Sequence, residues 1–194
     1  MSSVLETATI PSGAPQRLLT IEEYALLPDE GYRTELVRGK VVEMPPAKPR
    51  HGRVCARTTV ILTQFAEERD RGQVLSNDTG IITRRNPDSL RGADVAFYSY
   101  ARLPKGPIPE GYLQVAPEIV FEVKSPDDRW TDIIEKVGEY LAAGVLAVCV
   151  LDPAKSVACV YRSDEATQTF TVDQTLELPE PLADFRIPVA RFFE

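Results

Sequence analysis

Two acids and a lysine interrupt an otherwise apolar segment, Glu118–Lys124, which reads Glu-Ile-Val-Phe-Glu-Val-Lys. Its β-branched and aromatic residues predict a central β-strand, and successive side chains of a strand point to opposite faces of the sheet. Glu122 and Lys124 are therefore predicted to lie side by side on one face. Charges beside a buried strand are costly unless they form a pair or bind a ligand. This motif alone fits either a structural ion pair or a catalytic site.

A second acid upstream favours the catalytic interpretation. Asp94 begins a predicted strand, Asp94–Ser99, and its carboxylate approaches that of Glu122 if the two strands are neighbours. Two close carboxylates repel each other unless a cation lies between them. Because Mg²⁺ takes oxygen ligands and is usually held by one or two carboxylates, the two acids predict a site for Mg²⁺. Lys124 would then orient a metal-bound water or stabilise charge on a phosphate.

The remaining composition excludes several other mechanisms. The chain has one histidine, His51, so no mechanism that needs a histidine pair is available. Its three cysteines, Cys55, Cys149 and Cys159, form no close pair. This spacing argues against a disulfide framework or a CxxC zinc site, and the cysteines are predicted to be small buried apolar side chains. Carboxylates and lysines must therefore carry any chemistry.

The charge distribution allows local rather than global attraction to nucleic acid. The formal net charge is −7. Between Arg33 and Arg57 there are seven Lys and Arg against two Glu, a balance of 7 − 2 = +5, and the remainder carries 15 − 27 = −12. This basic segment (residues 33–57) fits either a surface that holds a phosphate backbone or an ordinary solvated surface.

The length of 194 residues suits one domain. Residues 1–17 are rich in small and polar residues and predict a flexible tail, so the domain is assigned to residues 18–194. No apolar run approaches the roughly 20 residues that span a bilayer, and the N-terminus lacks the pattern of a secretory signal. We therefore expect no membrane partner and a cytoplasmic location.

Three segments predict helices. The capping-box pattern of Thr20–Glu23 predicts a short helix to about Leu27. Apolar residues recur at three- and four-residue steps in His51–Arg69 and again before Gly144. Gly39 is the predicted tip of a hairpin, and a strand-helix-strand order predicts parallel pairing of 119–124 with 145–151. The predicted fold class is α/β, a mixed β-sheet flanked by α-helices.

Asp94 followed by Glu122-Val-Lys124 resembles the PD-(D/E)XK nuclease signature, although Ala93 stands where the signature has proline. Longer stretches, among them Tyr32–Val41 and Pro117–Pro126, resemble the Uma-two family of restriction-endonuclease-like proteins. The resemblance implies a restriction-endonuclease-like core and a metal-dependent endonuclease that hydrolyses DNA, with Mg²⁺ or Mn²⁺ as cofactor.

The resemblance also implies a third metal ligand, Glu35, which from the residues alone is an exposed carboxylate at a strand entrance. Three accessory residues are less specific. Lys136 and Tyr140 share a helix stripe with Asp132, which favours an ordinary salt bridge between Lys136 and Asp132 over contact with the site. His51 is expected at a helix start, where it either is a helix-terminal polar residue or contacts phosphate.

Two alternatives to an active nuclease stay open. The same fold can serve as a catalytically inactive module that binds nucleic acid or protein, or as a scaffold in which Glu122 and Lys124 form a structural pair. A homodimer is expected for the nuclease, because cutting both strands of a duplex generally needs two sites.

Overall fold

The structure is a computed structural model that describes residues 17–28 and 31–194. The predicted tail, residues 1–17, lies outside the described residues except for Arg17, and the assignment of one domain to residues 18–194 stays a prediction. The helices and strands are α1 (Ile21–Tyr24), β1 (Arg33–Val37), β2 (Lys40–Met44), α2 (Pro49–Glu68), β3 (Gly72–Arg84), β4 (Ser89–Ser99), β5 (Ile119–Val123), α3 (Trp130–Ala142), β6 (Ala147–Asp152), β7 (Val157–Tyr161), β8 (Gln168–Phe170), β9 (Thr175–Glu177), β10 (Arg186–Pro188) and α4 (Ala190–Phe193).

A mixed sheet of eight strands forms the centre of the fold, in the order β2-β1-β4-β5-β6-β7-β8 with β3 paired to β4. The pairings are antiparallel except for β5 with β6, which confirms the predicted parallel crossover through α3. The predicted hairpin is also confirmed, since β1 pairs with β2 around Gly39, whose φ of 78° suits glycine. The predicted mixed α/β class is therefore confirmed.

Helices cover both faces of the sheet. On one face α2 contributes Val54, Leu62 and Phe65 to a core with the β5 residue Phe121. On the other face α3 packs through Val137 and Tyr140 against side chains of β5 and β6. The strand alternation predicted from the sequence thus directs Ile119, Phe121 and Val123 to α2 and Val120 to α3.

The strands separate beside the middle of β4. Because β3 pairs with β4 from Ser89 to Ser99, β1 and β5 must both use the opposite edge of β4. There β1 pairs at Leu90, whereas β5 pairs only with residues 95–97. Residues 91–94 of β4 therefore face a gap between the end of β5 and β1.

Two predicted boundaries are wrong by three residues or more. The helix expected to reach Leu27 ends at Tyr24, although its capping box forms as predicted between Thr20 and Glu23. The strand expected to begin at Asp94 begins at Ser89, because the preceding residues pair with both β3 and β1. This extension places Asp94 in mid-strand, next to the gap. Within the described residues, no helix is long and apolar enough to cross a membrane.

Candidate active site

Three acids from three strands meet at the gap. Glu35 of β1, Asp94 of β4 and Glu122 of β5 line one cavity of about 170 Å³. Asp94 lies beside Glu122 because β4 and β5 are neighbours, as the sequence analysis assumed. Lys136 of α3 and His51 of α2 line the same cavity. The structure thus brings all three acids and two of the accessory residues to one cavity, and the third accessory residue, Tyr140, contacts Glu122.

Glu122 is held by two donors from α3. Lys136 Nζ donates to its Oε2 at 3.0 Å, and the Tyr140 hydroxyl donates to its Oε1 at 2.9 Å. Burial and the nearby Asp94 carboxylate together raise the pKa of Glu122 to about 7, against the opposing effects of the Lys136 ammonium and the Tyr140 hydroxyl. The site therefore does not fully compensate the charge of this carboxylate near neutral pH.

Glu35 is buried, with 5% of its surface exposed, so its interpretation as an exposed carboxylate is wrong. Its oxygens accept from Arg91 Nη1 at 3.0 Å and from the backbone N–H of Gly92 at 2.9 Å, and one lies 3.2 Å from Lys136 Nζ. Burial alone would raise the pKa of Glu35, but the Lys136 ammonium, Arg91 and the Gly92 N–H outweigh burial and lower it. Glu35 is therefore a charged member of the cluster.

Where β4 and β5 separate, the side chain of Asp94, rather than a backbone carbonyl, accepts a hydrogen bond from the backbone of β5. The N–H of Val123 donates to Asp94 Oδ2 at 2.7 Å, and His51 Nε2 lies 3.3 Å from the same oxygen. Burial opposes ionisation of Asp94, but the bond from His51, the charges of His51 and Lys136 and the Val123 N–H together lower its pKa. Burial lowers the pKa of His51, but Asp94 together with the charges of Asp128 and Asp78 outweighs burial, so the net shift is upward. These two residues favour the ionised carboxylate and the cationic imidazole.

Lys124 is not brought to the acids. Its ammonium donates to the carbonyl of Ser125 at 2.9 Å, and among the described residues that line the cavity are Val123 and Ser125 but not Lys124. The Lys124 N–H still donates to the Leu151 carbonyl, as in the β5–β6 ladder, so the difference arises because the side chain turns to the Ser125 carbonyl.

Lys136 lies where the sequence analysis expected a lysine. Its ammonium contacts Glu122 and Glu35 and donates to the Gly92 carbonyl at 2.7 Å. The favoured helix salt bridge with Asp132 is therefore wrong, and the contact with the site is the one that forms. Glu122, Glu35 and Asp94 all raise the pKa of Lys136, so the ammonium stays charged despite burial.

Arg91 and Glu139 support the cluster, and the sequence analysis missed both. Arg91 forms a two-point contact with Glu139, at 2.6 Å from Nε and 2.9 Å from Nη2, while its Nη1 holds Glu35. The contact ties β4 to α3 over a separation of 48 residues. No local pattern points to either residue, because they meet only across this separation in sequence.

The chemistry of the donor set suits a hard divalent cation, although these three acids are not a group of described residues whose ligand atoms all lie within 4.8 Å of one another. The candidate ligands, Glu35, Asp94 and Glu122, offer carboxylate oxygens, which Mg²⁺ and Mn²⁺ prefer. The pKa of Glu122 stays raised even though the positive charge of Lys136 lies beside it. A bound cation would add positive charge and so would favour the ionised form of Glu122.

The basic segment contributes to the cavity but is largely paired with groups of the fold. Arg33 and Lys48 line the cavity, where they pair with Asp78 and Asp127. Arg50 donates to the Pro153 carbonyl. Only part of this segment therefore faces the site.

Two comparisons with known proteins match most of the length of the chain. Residues 21–190 match the model of the family Uma2, whose description is "Putative restriction endonuclease". A solved structure described as "a putative nuclease belonging to DUF820", from Anabaena variabilis ATCC 29413, matches with a TM-score of 0.79 at 20% sequence identity, over 90% of this chain and 97% of that chain. This likeness shows a shared fold, and no curated protein matches the chain. Since the family match covers far more than half of its residues, the chain belongs to the Uma2 family.

Proposed function

We propose that the chain is a metal-dependent endonuclease that hydrolyses phosphodiester bonds of DNA in the cavity between β1 and β5. The observation that carries the proposal is the convergence of Glu35, Asp94 and Glu122 on one cavity beside the Lys136 ammonium. Membership of a nuclease family supports the reaction class. The choice of DNA and of Mg²⁺ or Mn²⁺ is part of the proposal.

Asp94, Glu122 and Glu35 would hold the divalent cation. When bound there, such an ion lowers the pKa of water and neutralises charge on a phosphate. Lys136 holds Glu35 and Glu122 at a fixed spacing and presents its charge to the cavity, where it stabilises negative charge on the phosphate. His51, whose pKa is raised in part by Asp94, is placed to contact the phosphate as well.

Tyr140 is a positioning residue in this scheme, because its hydroxyl fixes the orientation of the Glu122 carboxylate. We assign the role of the motif lysine to Lys136 and keep Lys124 as the alternative. Replacing each lysine by methionine separates the two assignments. Loss of cleavage in Lys136→Met with retention in Lys124→Met supports Lys136, and the reverse result returns the role to Lys124.

The test is nicking of supercoiled plasmid by the purified chain with Mg²⁺ or Mn²⁺ and with EDTA. Asp94→Asn and Glu122→Gln keep the size of each side chain and are expected to lower the rate at least about 100-fold, a loss of about 3 kcal/mol of transition-state stabilisation. Asp164→Asn is the matched control, because Asp164 is exposed and its φ of 59° is one that asparagine tolerates. Equal nicking by wild type and both site variants would refute the proposal.

A catalytically inactive binding module is the second candidate. It is favoured by one observation, that Lys136 already bridges two of the three acids and so supplies a cation from the chain itself. This candidate expects DNA binding in a gel-shift assay that does not depend on divalent metal, with no cleavage under any metal. Metal-dependent nicking that fails in the site variants rejects it.

We also propose that the active form is a homodimer, because one cavity cleaves one strand and a duplex presents two antiparallel strands. Light scattering coupled to gel filtration should give about twice the mass of the chain. A monomer that makes only single-strand nicks would contradict this part of the proposal without affecting the chemistry.

A further inference from the structure

A second group of potential ligands lies on the α2 side of Asp94. His51 and Cys55 are four residues apart on α2 and therefore lie on the same side of the helix. Their ligand atoms and a carboxylate oxygen of Asp94 all lie within 4.8 Å of one another. Cys55 is half-buried, so it is not simply a core residue like the buried Cys149 and Cys159.

The spacing of these atoms is close to that of ligands around one small ion. The distance from His51 Nε2 to Asp94 Oδ2 is 3.3 Å, and that from Cys55 Sγ to His51 Nε2 is 3.9 Å. Bond lengths of about 2.0 Å to nitrogen or oxygen and 2.3 Å to sulfur place tetrahedral zinc ligands about 3.3–3.6 Å apart. The nitrogen–oxygen distance already agrees with this range, and a side-chain shift of a few tenths of an ångström brings the sulfur within it.

The ligand chemistry differs from that of the three acids. Imidazole nitrogen and thiolate sulfur select Zn²⁺ and similar ions, whereas Mg²⁺ prefers oxygen alone. Burial raises the pKa of the Cys55 thiol and the Asp94 carboxylate raises it further, but a coordinated thiol is deprotonated by the ion itself. A fourth position is open, since all three residues line a cavity of about 250 Å³ that can hold water.

We propose that His51, Cys55 and Asp94 form a Zn²⁺ site with three protein ligands, distinct from the oxygen site of Glu35 and Glu122. Asp94 belongs to both sites and lines both cavities. Zn²⁺ therefore draws Asp94 toward α2 and competes with the ion proposed for catalysis. This competition rests on the proposed function, whereas Zn²⁺ binding does not.

The experiment uses the full chain, stripped of metal, without DNA. Co²⁺ replaces Zn²⁺ as a probe, because a thiolate ligand gives a charge-transfer absorption band that oxygen ligands do not. We expect the wild type to bind one Co²⁺ with this band, and Zn²⁺ to remove the band on displacement. Cys55→Ser should lose the band and bind Zn²⁺ at least about 10-fold more weakly.

Two controls separate the sites. Cys159→Ser is the same substitution at a cysteine whose Sγ lies 3.7 Å from the Thr169 hydroxyl, which can accept a serine hydrogen bond, and it should keep the band. Glu122→Gln removes a ligand of the proposed catalytic ion only and should also keep the band. If Glu122→Gln loses nuclease activity but keeps the band, the result supports the proposed function and shows that the Zn²⁺ site does not depend on Glu122.

A measurement on the wild type covers the case in which Cys55→Ser does not fold. Zn²⁺ should slow the alkylation of Cys55 by iodoacetamide at least about 10-fold, whereas Mg²⁺ should not slow it. The reaction is measured by mass spectrometry of the peptide that contains Cys55. A wild type without the charge-transfer band, a band that persists in folded Cys55→Ser, or equal alkylation with and without Zn²⁺ would each overturn the proposal.

Discussion

Replacing Glu122 by glutamine should change how the stability of the metal-free protein depends on pH. Folding raises the pKa of Glu122 from 4.5 to about 7. Between these values the folded state holds a proton that the unfolded state has released, so stability falls as pH rises. Each pKa unit corresponds to about 1.4 kcal/mol, and the part of the shift that lies between pH 5 and pH 8 costs the wild type about 2 kcal/mol. Glu122→Gln does not titrate there and avoids this loss.

The assay is urea unfolding of both proteins in EDTA at pH 5, 6, 7 and 8. The free energy of unfolding of Glu122→Gln minus that of the wild type should increase by about 2 kcal/mol over this range, most steeply below pH 7. Groups common to both proteins largely cancel in this difference. Glu165→Gln, at an exposed glutamate, should give a profile parallel to that of the wild type. Parallel profiles for Glu122→Gln would refute the raised pKa and the uncompensated charge inferred from it.

Three further results are expected from the same cluster. Lys136→Met should lower the free energy of unfolding in EDTA by about 3–5 kcal/mol at pH 8, because it leaves Glu35 and Glu122 without their shared cation; a loss under 1 kcal/mol would contradict this. Tyr140→Phe should lower the free energy of unfolding in urea by about 1–3 kcal/mol at pH 8, and by less at pH 5, where Glu122 is protonated. Equal losses at both pH values would argue against a hydrogen bond to an ionised carboxylate. Mg²⁺ at about 100 times its dissociation constant should stabilise the wild type by about 2.7 kcal/mol, seen as a higher Tm, and should not shift the Tm of Asp94→Asn; equal shifts would place the ion elsewhere.

Local patterns were sufficient to predict the elements that carry the acids. The apolar alternation around Glu122 and the strand-helix-strand order predicted β5, α3 and β6 and their parallel pairing, because burial on both faces leaves few other arrangements. Adjacency of the Asp94 strand was assumed and then found. The burial of Glu35 could not be predicted from its neighbours, since it depends on Arg91 and Gly92, which are more than 50 residues away.

The contact of Lys136 with the acids could not be predicted for a different reason. A strand motif predicts which side chains share a face, but it does not fix the partner of a long lysine side chain, and the Lys124 ammonium donates to the Ser125 carbonyl. Lys136 reaches the acids from a helix on which the nearer sequence partner, Asp132, offered a simpler pairing. The choice between these partners is decided by how α3 packs on the sheet, through Val137 and Tyr140. Tertiary packing of this kind leaves no local trace in the sequence.

The arrangement around Glu122 also argues against a purely structural role for the cluster. A structural ion pair lowers the pKa of its acid, as Lys136 and Arg91 do for Glu35. Glu122 contacts the same lysine and accepts from Tyr140, yet burial and the Asp94 carboxylate still raise its pKa to about 7. A fold selected only for stability is better served by an apolar residue at this position, since a buried carboxylate without full compensation costs free energy. A cation that enters the cavity removes that cost, which is why the cluster supports a metal site more strongly than a scaffold.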